Sequence, residues 1–484
     1  LEGQIYFAAD ALPVRDLLPI KFREHVAETS LLSSSAWVDI QNNQIIQVTG
    51  HVAPTDIQIQ SNEQSITLKN EEFNWVMRPE RNYWSVSLNE IALSVNDIAT
   101  STALAGRLYP SGQSDFVLTS PIPMAMFAPI LTIINPEATP LALTGELAEV
   151  GLYWLSDKEQ AGFLRFANAG WEALEHVGIN NLNVDTYWHR LGSQTAIRST
   201  IDAVDGKLFT GTHTLAEDLE YTELSADIFA NIVEDTFVLA PSTLTLKSEL
   251  TDLFVSAQYN TRLLLHARLE PGTVKNITAL LPTKLMGKQT YRYLMRALDT
   301  ENQTGQVKSA TLLWDGVPTD FPFADNSGVF QAQVVIEEAD FVFAPDWPML
   351  ENLSLTLNFD NADLFMYAPS ATLGDVAVSD MYASIPGMNS QSVLTIEAQG
   401  SGSGFAVSQV MQQSSLAASL GKVLTENVIV SNVLSAQLNL SIPLSGSKVD
   451  ARGSVTFDDN YVFIKNIDTE LKNVSGSLSF DNSN

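Results

Sequence analysis

Apolar and polar side chains alternate with period two along much of the chain. Leu353, Leu355, Leu357 and Phe359 alternate with Ser354, Thr356, Asn358 and Asp360. Leu434, Ala436, Leu438, Leu440, Ile442 and Leu444 alternate with polar neighbours and Pro443, and Val474, Gly476, Leu478 and Phe480 alternate with Ser475, Ser477, Ser479 and Asp481. Val334 and Ile336 are spaced the same way. Successive side chains of a strand point to opposite faces, so each run predicts a strand with one apolar and one polar face. Shorter runs include Trp84, Val86 and Leu88, and Leu263 to Leu269. Turn formers at Asn42-Asn43, Asp205-Gly206, Asn361 and Asp458-Asp459-Asn460 are expected to separate strands. The pattern predicts a mainly β fold of antiparallel, one-sided sheet.

Leu350 to Asn361 aligns with Leu471 to Asn482, with seven identities in twelve positions. The match suggests a stack of similar sheet units. Helical periodicity is scarce. Met286, Tyr293, Leu294, Ala297 and Leu298 fall on one side of a helical wheel, with Lys288, Arg292 and Arg296 on the other. Gly287 weakens its first turn. Phe405 to Leu424 also predicts a helix, whereas Ala161 to Val177 is read as strand. Gly400-Ser401-Gly402-Ser403-Gly404 reads as a flexible loop ahead of the second helix. The organisation expected is a β segment over 1–275, a helical insertion over 276–300, β over 301–400, a helix over 401–424 and a further β segment over 425–484.

Composition narrows the function. The chain has 26 Lys and Arg against 56 Asp and Glu, a formal net charge of −30, so nucleic acid is not an expected partner. Zero Cys removes disulfides, thiolate metal sites and Cys nucleophiles. Phe116 to Pro136 is interrupted by prolines, and Ala398 to Gly421 is too rich in Gly, Ser and Gln, so neither predicts a membrane span. The chain begins at Leu1 and ends at Asn484 within a strand pattern, so a fragment is expected.

Candidate chemistry is sparse. The six His have no metal-ligand spacing. The glycine-rich run fits neither a nucleophile elbow nor a phosphate-binding loop. Glu71-Glu72 and Glu337-Glu338 read as strand neighbours, which would face opposite ways and form no acid/base dyad. Asp458, Asp459 and Asn460 lack calcium-loop spacing and read as a solvated turn. No catalytic residue, metal site or cofactor is expected. The Lys288, Arg292, Arg296 stripe either pairs with carboxylates of a neighbouring sheet or contacts lipid phosphates.

One-sided strands must hide their apolar faces against another sheet or against a ligand. Periodicity alone favours the former, a closed sandwich or β-solenoid. An ordered set of motifs changes the balance: Leu281-Pro282, the Tyr291 to Leu298 helix, Gly305-Gln306-Val307 and Leu312-Leu313-Trp314-Asp315-Gly316. Phe321-Pro322-Phe323, Gly328-Val329-Phe330, Trp347-Pro348 and Leu353 to Phe359 follow. This order resembles the YhdP family of AsmA-like envelope proteins of Gram-negative bacteria, best over Leu280 to Met366.

The resemblance implies an elongated, twisted antiparallel sheet forming a taco-like groove with an apolar interior and a few short helices. It also implies a periplasmic segment of a protein anchored in the inner membrane, bridging inner and outer membranes for phospholipid transport. Docking to either membrane would use parts absent from this chain. Phospholipid acyl chains would then contact Val334, Ile336, Leu353, Leu355, Leu357, Phe359, Leu438, Leu440, Ile442, Leu444, Leu478 and Phe480, with headgroups near Lys288, Arg292 and Arg296. Exposing a 16-carbon chain to water costs about 13 kcal/mol at ~0.8 per methylene, so such a lining would remove most of that cost. A secreted structural β-solenoid or adhesin with a closed core is the alternative. A β-helix polysaccharide enzyme is disfavoured because no carboxylate cluster is apparent.

Overall fold

The computed structural model describes the chain except residues 19–22, 62–63, 135–139, 175, 212–214, 216, 235, 281–287, 299–303, 389–390, 446–448 and 482–484. The side chains at 120, 288–290, 298, 419 and 420 also fall outside the description. Leu281-Pro282, Met286, Gly287, Pro136, Asn482 and the side chains of Lys288 and Leu298 therefore lie outside the described residues.

The chain divides into two units, Leu1–Gly211 with Asp218–Ser248, and Thr212–Glu217 with Glu249–Asn484. In the first, antiparallel strands run Gly3–Pro13, Leu31–Gln41, Gln44–Val52, Phe73–Pro79, Trp84–Val95, Ile98–Leu108 and Ser114–Pro123, each paired with the next. Leu141–Ser156, Glu159–Ala173, Val177–Leu191, Gln194–Thr210, Leu219–Val233 and Thr236–Lys247 continue the meander. The strand reading of Ala161 to Val177 matches Glu159–Ala173. Asn42 and Asn43 both adopt left-handed φ, 48° and 61°, in the hairpin between their strands, a turn whose twist matches that of the strands it joins.

In the second unit the strands are Leu253–Tyr259, Leu263–Leu269, Gln306–Gly316, Val329–Phe341, Leu350–Asp360, Asp363–Leu373, Val376–Ile385 and Val393–Ser403. Val433–Pro443, Asp450–Ile464 and Thr469–Asp481 complete the order. Helices span Lys288–Leu298 and Gly404–Gln412. The first agrees with the wheel pattern.

Several local expectations need correction. Asp205-Gly206 and Asp458-Asp459-Asn460 are bulges inside strands, not turns, with Asp205 and Asp459 at φ 53° and 55°. Asn460 is fully buried, and its amide donates to the carbonyls of Ser431 at 2.9 Å and Val433 at 3.1 Å. Asp and Asn tolerate the left-handed backbone that turns and bulges both require, so composition does not separate the two. Glu71-Glu72 sits between strands. Glu337 and Glu338 are both exposed because Glu338, at φ 57°, bulges and interrupts the alternation.

The glycine-rich run is strand rather than loop. Gly400 and Gly402 lie in Val393–Ser403, where a Cβ would come within 3.3 and 3.2 Å of the Val376 side chain. Ser403 then caps the helix by accepting from the Ala406 N–H at 3.1 Å. The helix expected through Leu424 stops at Gln412. The Ser414 hydroxyl donates to the Met411 carbonyl and accepts from the Leu416 N–H, offering the backbone a turn in place of helix. Short π-helical turns follow at Ala417–Gly421 and Val423–Asn427.

Bulges recur at matching levels. Gly145, Asn168, Asn181 and Asp205 have left-handed backbone on four consecutive strands of the first unit. The Asn181 amide donates to the Asp205 carbonyl at 3.2 Å. A bulge bends its strand and raises the local twist, so this row bends four neighbours along one line.

Candidate functional site

Strand register assembles the apolar side chains of the second unit into unbroken rows. Leu269, Ala310, Val334, Leu357, Met366, Ala383, Ile396, Leu440 and Ala451 are successive cross-strand partners. Ala332, Phe359, Leu364 and Ile385 form the next row. Leu438, Gly453 and Phe480 form another, as do Ala436, Val455 and Leu478.

The residues expected to line an apolar surface therefore share one face, with different burial. Ile336, Leu353, Leu355, Leu440 and Ile442 are buried in one cluster, and Val334, Leu357, Phe359, Leu438, Leu444 and Phe480 pack against it half-buried. Leu478, in the final strand, is 42% exposed and outside the cluster.

Helices cover part of this face. Tyr293, Leu294 and Ala297 of Lys288–Leu298, and Ala406, Val407, Val410 and Met411 of Gly404–Gln412, are buried in the same cluster. Phe343 and Trp347 join them, and the Trp347 indole donates to the Ser415 hydroxyl at 3.2 Å. The cover does not fill the space. A partly open cavity of about 630 Å³ lies between Val407, Val410, Met411 and the sheet residues Val378, Ala398, Ala436 and Leu438. A second of about 370 Å³ lies between Tyr293, Phe341 and the residues Leu353, Leu355 and Met366. Phe343, Leu350, Met381 and Ile396 wall both.

The first unit carries a longer apolar row, of which the sequence alternation marks only fragments. Ile5, Val38, Val48, Met77, Val86, Gly106, Phe116 and Leu152 are cross-strand partners in turn. Gly162, Trp188, Ile197, Ala230 and Leu239 extend it. None of its large side chains is buried, and Ile5 and Leu152 are 44% and 48% exposed. The Phe127–Ile134 helix packs elsewhere, near Thr55–Gln60, Ser65–Asn70 and the Leu141–Ser156 strand. Rings lie over glycines along this face: a Cβ on Gly50, Gly106 or Gly162 would meet the cross-strand ring of Trp75, Phe116 or Trp188 at 2.0, 2.4 and 2.6 Å.

The opposite face mixes ion pairs with aromatic side chains, among them Tyr6, Trp37, Phe163, Tyr187 and Phe229. Arg165 bonds Glu149 and lies 3.5 Å from Asp185; Arg107 lies 3.0 Å from Asp115 and Arg198 3.5 Å from Asp227. Arg292 and Arg296 differ. Both are exposed, neither has a carboxylate partner among the described residues, and the Arg296 guanidinium sits 5.8 Å from the Tyr293 ring centroid. The expected carboxylate pairing is thus not seen for these two. No metal-holding group of three or more His, Asp or Glu occurs among the described residues.

A family model described as YhdP protein matches residues 1–484. The intermembrane phospholipid transporter YhdP of Escherichia coli (strain K12) is 41% identical over 202 residues, which cover 42% of this chain. That match spans 16% of the relative's own length. No solved structure matches.

Proposed function

The chain belongs to the YhdP family, and from that premise we propose that it is one segment of a bridge conveying phospholipids between the inner and outer membranes. Acyl chains run along the apolar face while headgroups stay in water. The whole protein lies in the periplasm and is anchored in the inner membrane, with membrane docking supplied outside this segment. Among the described residues no helix is long and apolar enough to cross a membrane.

The carrying observation is the unbroken apolar row of the first unit, left half-exposed across its strands. A soluble protein exposes so much contiguous apolar surface at a cost, and such surface marks a binding site. Apolar contact is non-directional, so a chain sliding from Phe116 to Leu152 to Trp188 meets no fixed stop. In the second unit the same role falls to Val334, Ile336, Leu353, Leu355, Leu357, Phe359, Leu438, Leu440, Ile442, Leu444, Leu478 and Phe480, of which Leu353, Leu355, Leu438 and Leu440 border its cavities. Arg292 and Arg296 supply cations for phosphates; the reading needs no catalytic group. A closed-core solenoid or adhesin would bury the first unit's row.

Lipid extraction and native mass spectrometry of the purified chain test this. Bound phospholipid is expected. Protein recovered without lipid, and unable to take any from vesicles, would overturn the reading.

A further inference from the structure

Tyr293 carries a buried hydroxyl with no hydrogen-bond partner among the described residues. The residue is 4% exposed and forms part of the wall of the 370 Å³ cavity. Among the described lining residues it alone bears a side-chain oxygen or nitrogen; its neighbours there include Phe341, Leu353, Leu355 and Met366. Burial pushes the phenol pKa upward, opposed by the nearby Arg296 charge, so the group stays a protonated donor. Leaving a buried hydroxyl unsatisfied is costly, and native structures rarely do so without a reason.

Three acceptors could satisfy it. A buried water needs two to four polar partners, and this cavity offers one. A free carboxylate would place an unpaired charge among hydrocarbon, which is far more costly. A neutral ester carbonyl attached to hydrocarbon satisfies the donor and fills the space. A cation stands close by: the exposed Arg296 guanidinium lies 5.8 Å from the centroid of the Tyr293 ring, and Tyr293 also lines the apolar cavity. A glycerophospholipid carries a phosphate, an ester and an acyl chain, one for each of these three features.

We propose that Tyr293 donates a hydrogen bond to an ester carbonyl of a glycerophospholipid whose acyl chain occupies the cavity beneath the Lys288–Leu298 helix. This rests on the lipid-conveying reading and adds a polar station to an otherwise slippery path. Lipid pauses there, oriented with its phosphate towards Arg296.

The test compares wild type with Tyr293→Phe, each loaded from vesicles with diacyl phosphatidylglycerol, its diether analogue lacking ester carbonyls, or palmitate, and read by native mass spectrometry. Wild type is expected to retain the diacyl lipid about tenfold better than the diether, equivalent to ~1.4 kcal/mol. Tyr293→Phe is expected to hold both at the diether level, with a Tm no lower than wild type. Equal retention of diacyl and diether by wild type, or undiminished diacyl retention by the variant, would overturn the station and leave the conveying reading intact. Hydroxyl dependence confined to palmitate would overturn the ester assignment. Absence of every lipid from both proteins would overturn both readings.

Discussion

Asn352 and Asn473, 121 residues apart, hold the same backbone: each is the third residue of the repeated segment, two after its first Leu, and each has a left-handed φ, 52° and 56°. Glu338 and Asp459 on the preceding strands repeat the correspondence at φ 57° and 55°. The short sequence match thus marks a bulged hairpin used twice.

If the bulge dictates the residue, Asn352→Gly leaves stability nearly unchanged, whereas Asn352→Val costs ~1–3 kcal/mol, the range for a non-glycine side chain strained at positive φ. Urea denaturation of the two variants measures this; equal midpoints would contradict it.

Leu438 lines the larger cavity and Gln437, its neighbour, is exposed on the other face. A photo-reactive amino acid at Leu438 should give phospholipid adducts in cells, and one at Gln437 should not. Adducts at both positions would show that lipid contact ignores the strand alternation.

Ala436 borders the same cavity. Ala436→Trp fills space where acyl chain would lie, so co-purified lipid should fall about tenfold, or ~1.4 kcal/mol of binding. Undiminished lipid in a folded variant would locate the path elsewhere.

Arg292 and Arg296 should matter for phosphate rather than for the fold. Arg292→Gln with Arg296→Gln is expected to reduce loading from phosphatidylglycerol vesicles, most clearly at low salt, without lowering Tm. A lowered Tm with intact loading would instead assign them a structural role.

His176 bridges Glu172 at 2.7 Å and Asp218 at 3.0 Å. The Glu172 hydrogen bond, then that to Asp218, raises its pKa above the ordinary value. Burial pushes Asp218 up, but its bonds from His176 and the Thr210 N–H outweigh that and hold it low. The imidazolium's stabilisation is full below the unfolded pKa near ~6.5 and is lost as pH rises through the higher folded value. The carboxylate's share is lost as pH falls below its own folded value. The Tm gap between wild type and His176→Gln should therefore be widest near pH ~6 and close at alkaline pH; a gap that is flat with pH would refute the bridge.

The sequence by itself determined the strands and their sidedness, because a period-two pattern admits one face assignment once a strand forms. It also placed the Lys288–Leu298 helix. It could not distinguish turn from bulge at Asp205 or Asp459, since Asn and Asp suit both. It misassigned the Gly400 to Ser403 strand because Gly400 and Gly402 answer to Val376, a residue remote in sequence. Only tertiary structure decided which apolar rows are covered by helices and which stay half-exposed, because cover depends on where the Gly404–Gln412 helix folds back. The orphaned hydroxyl of Tyr293 belongs to the same class: a polar atom lacks a partner only relative to everything packed around it.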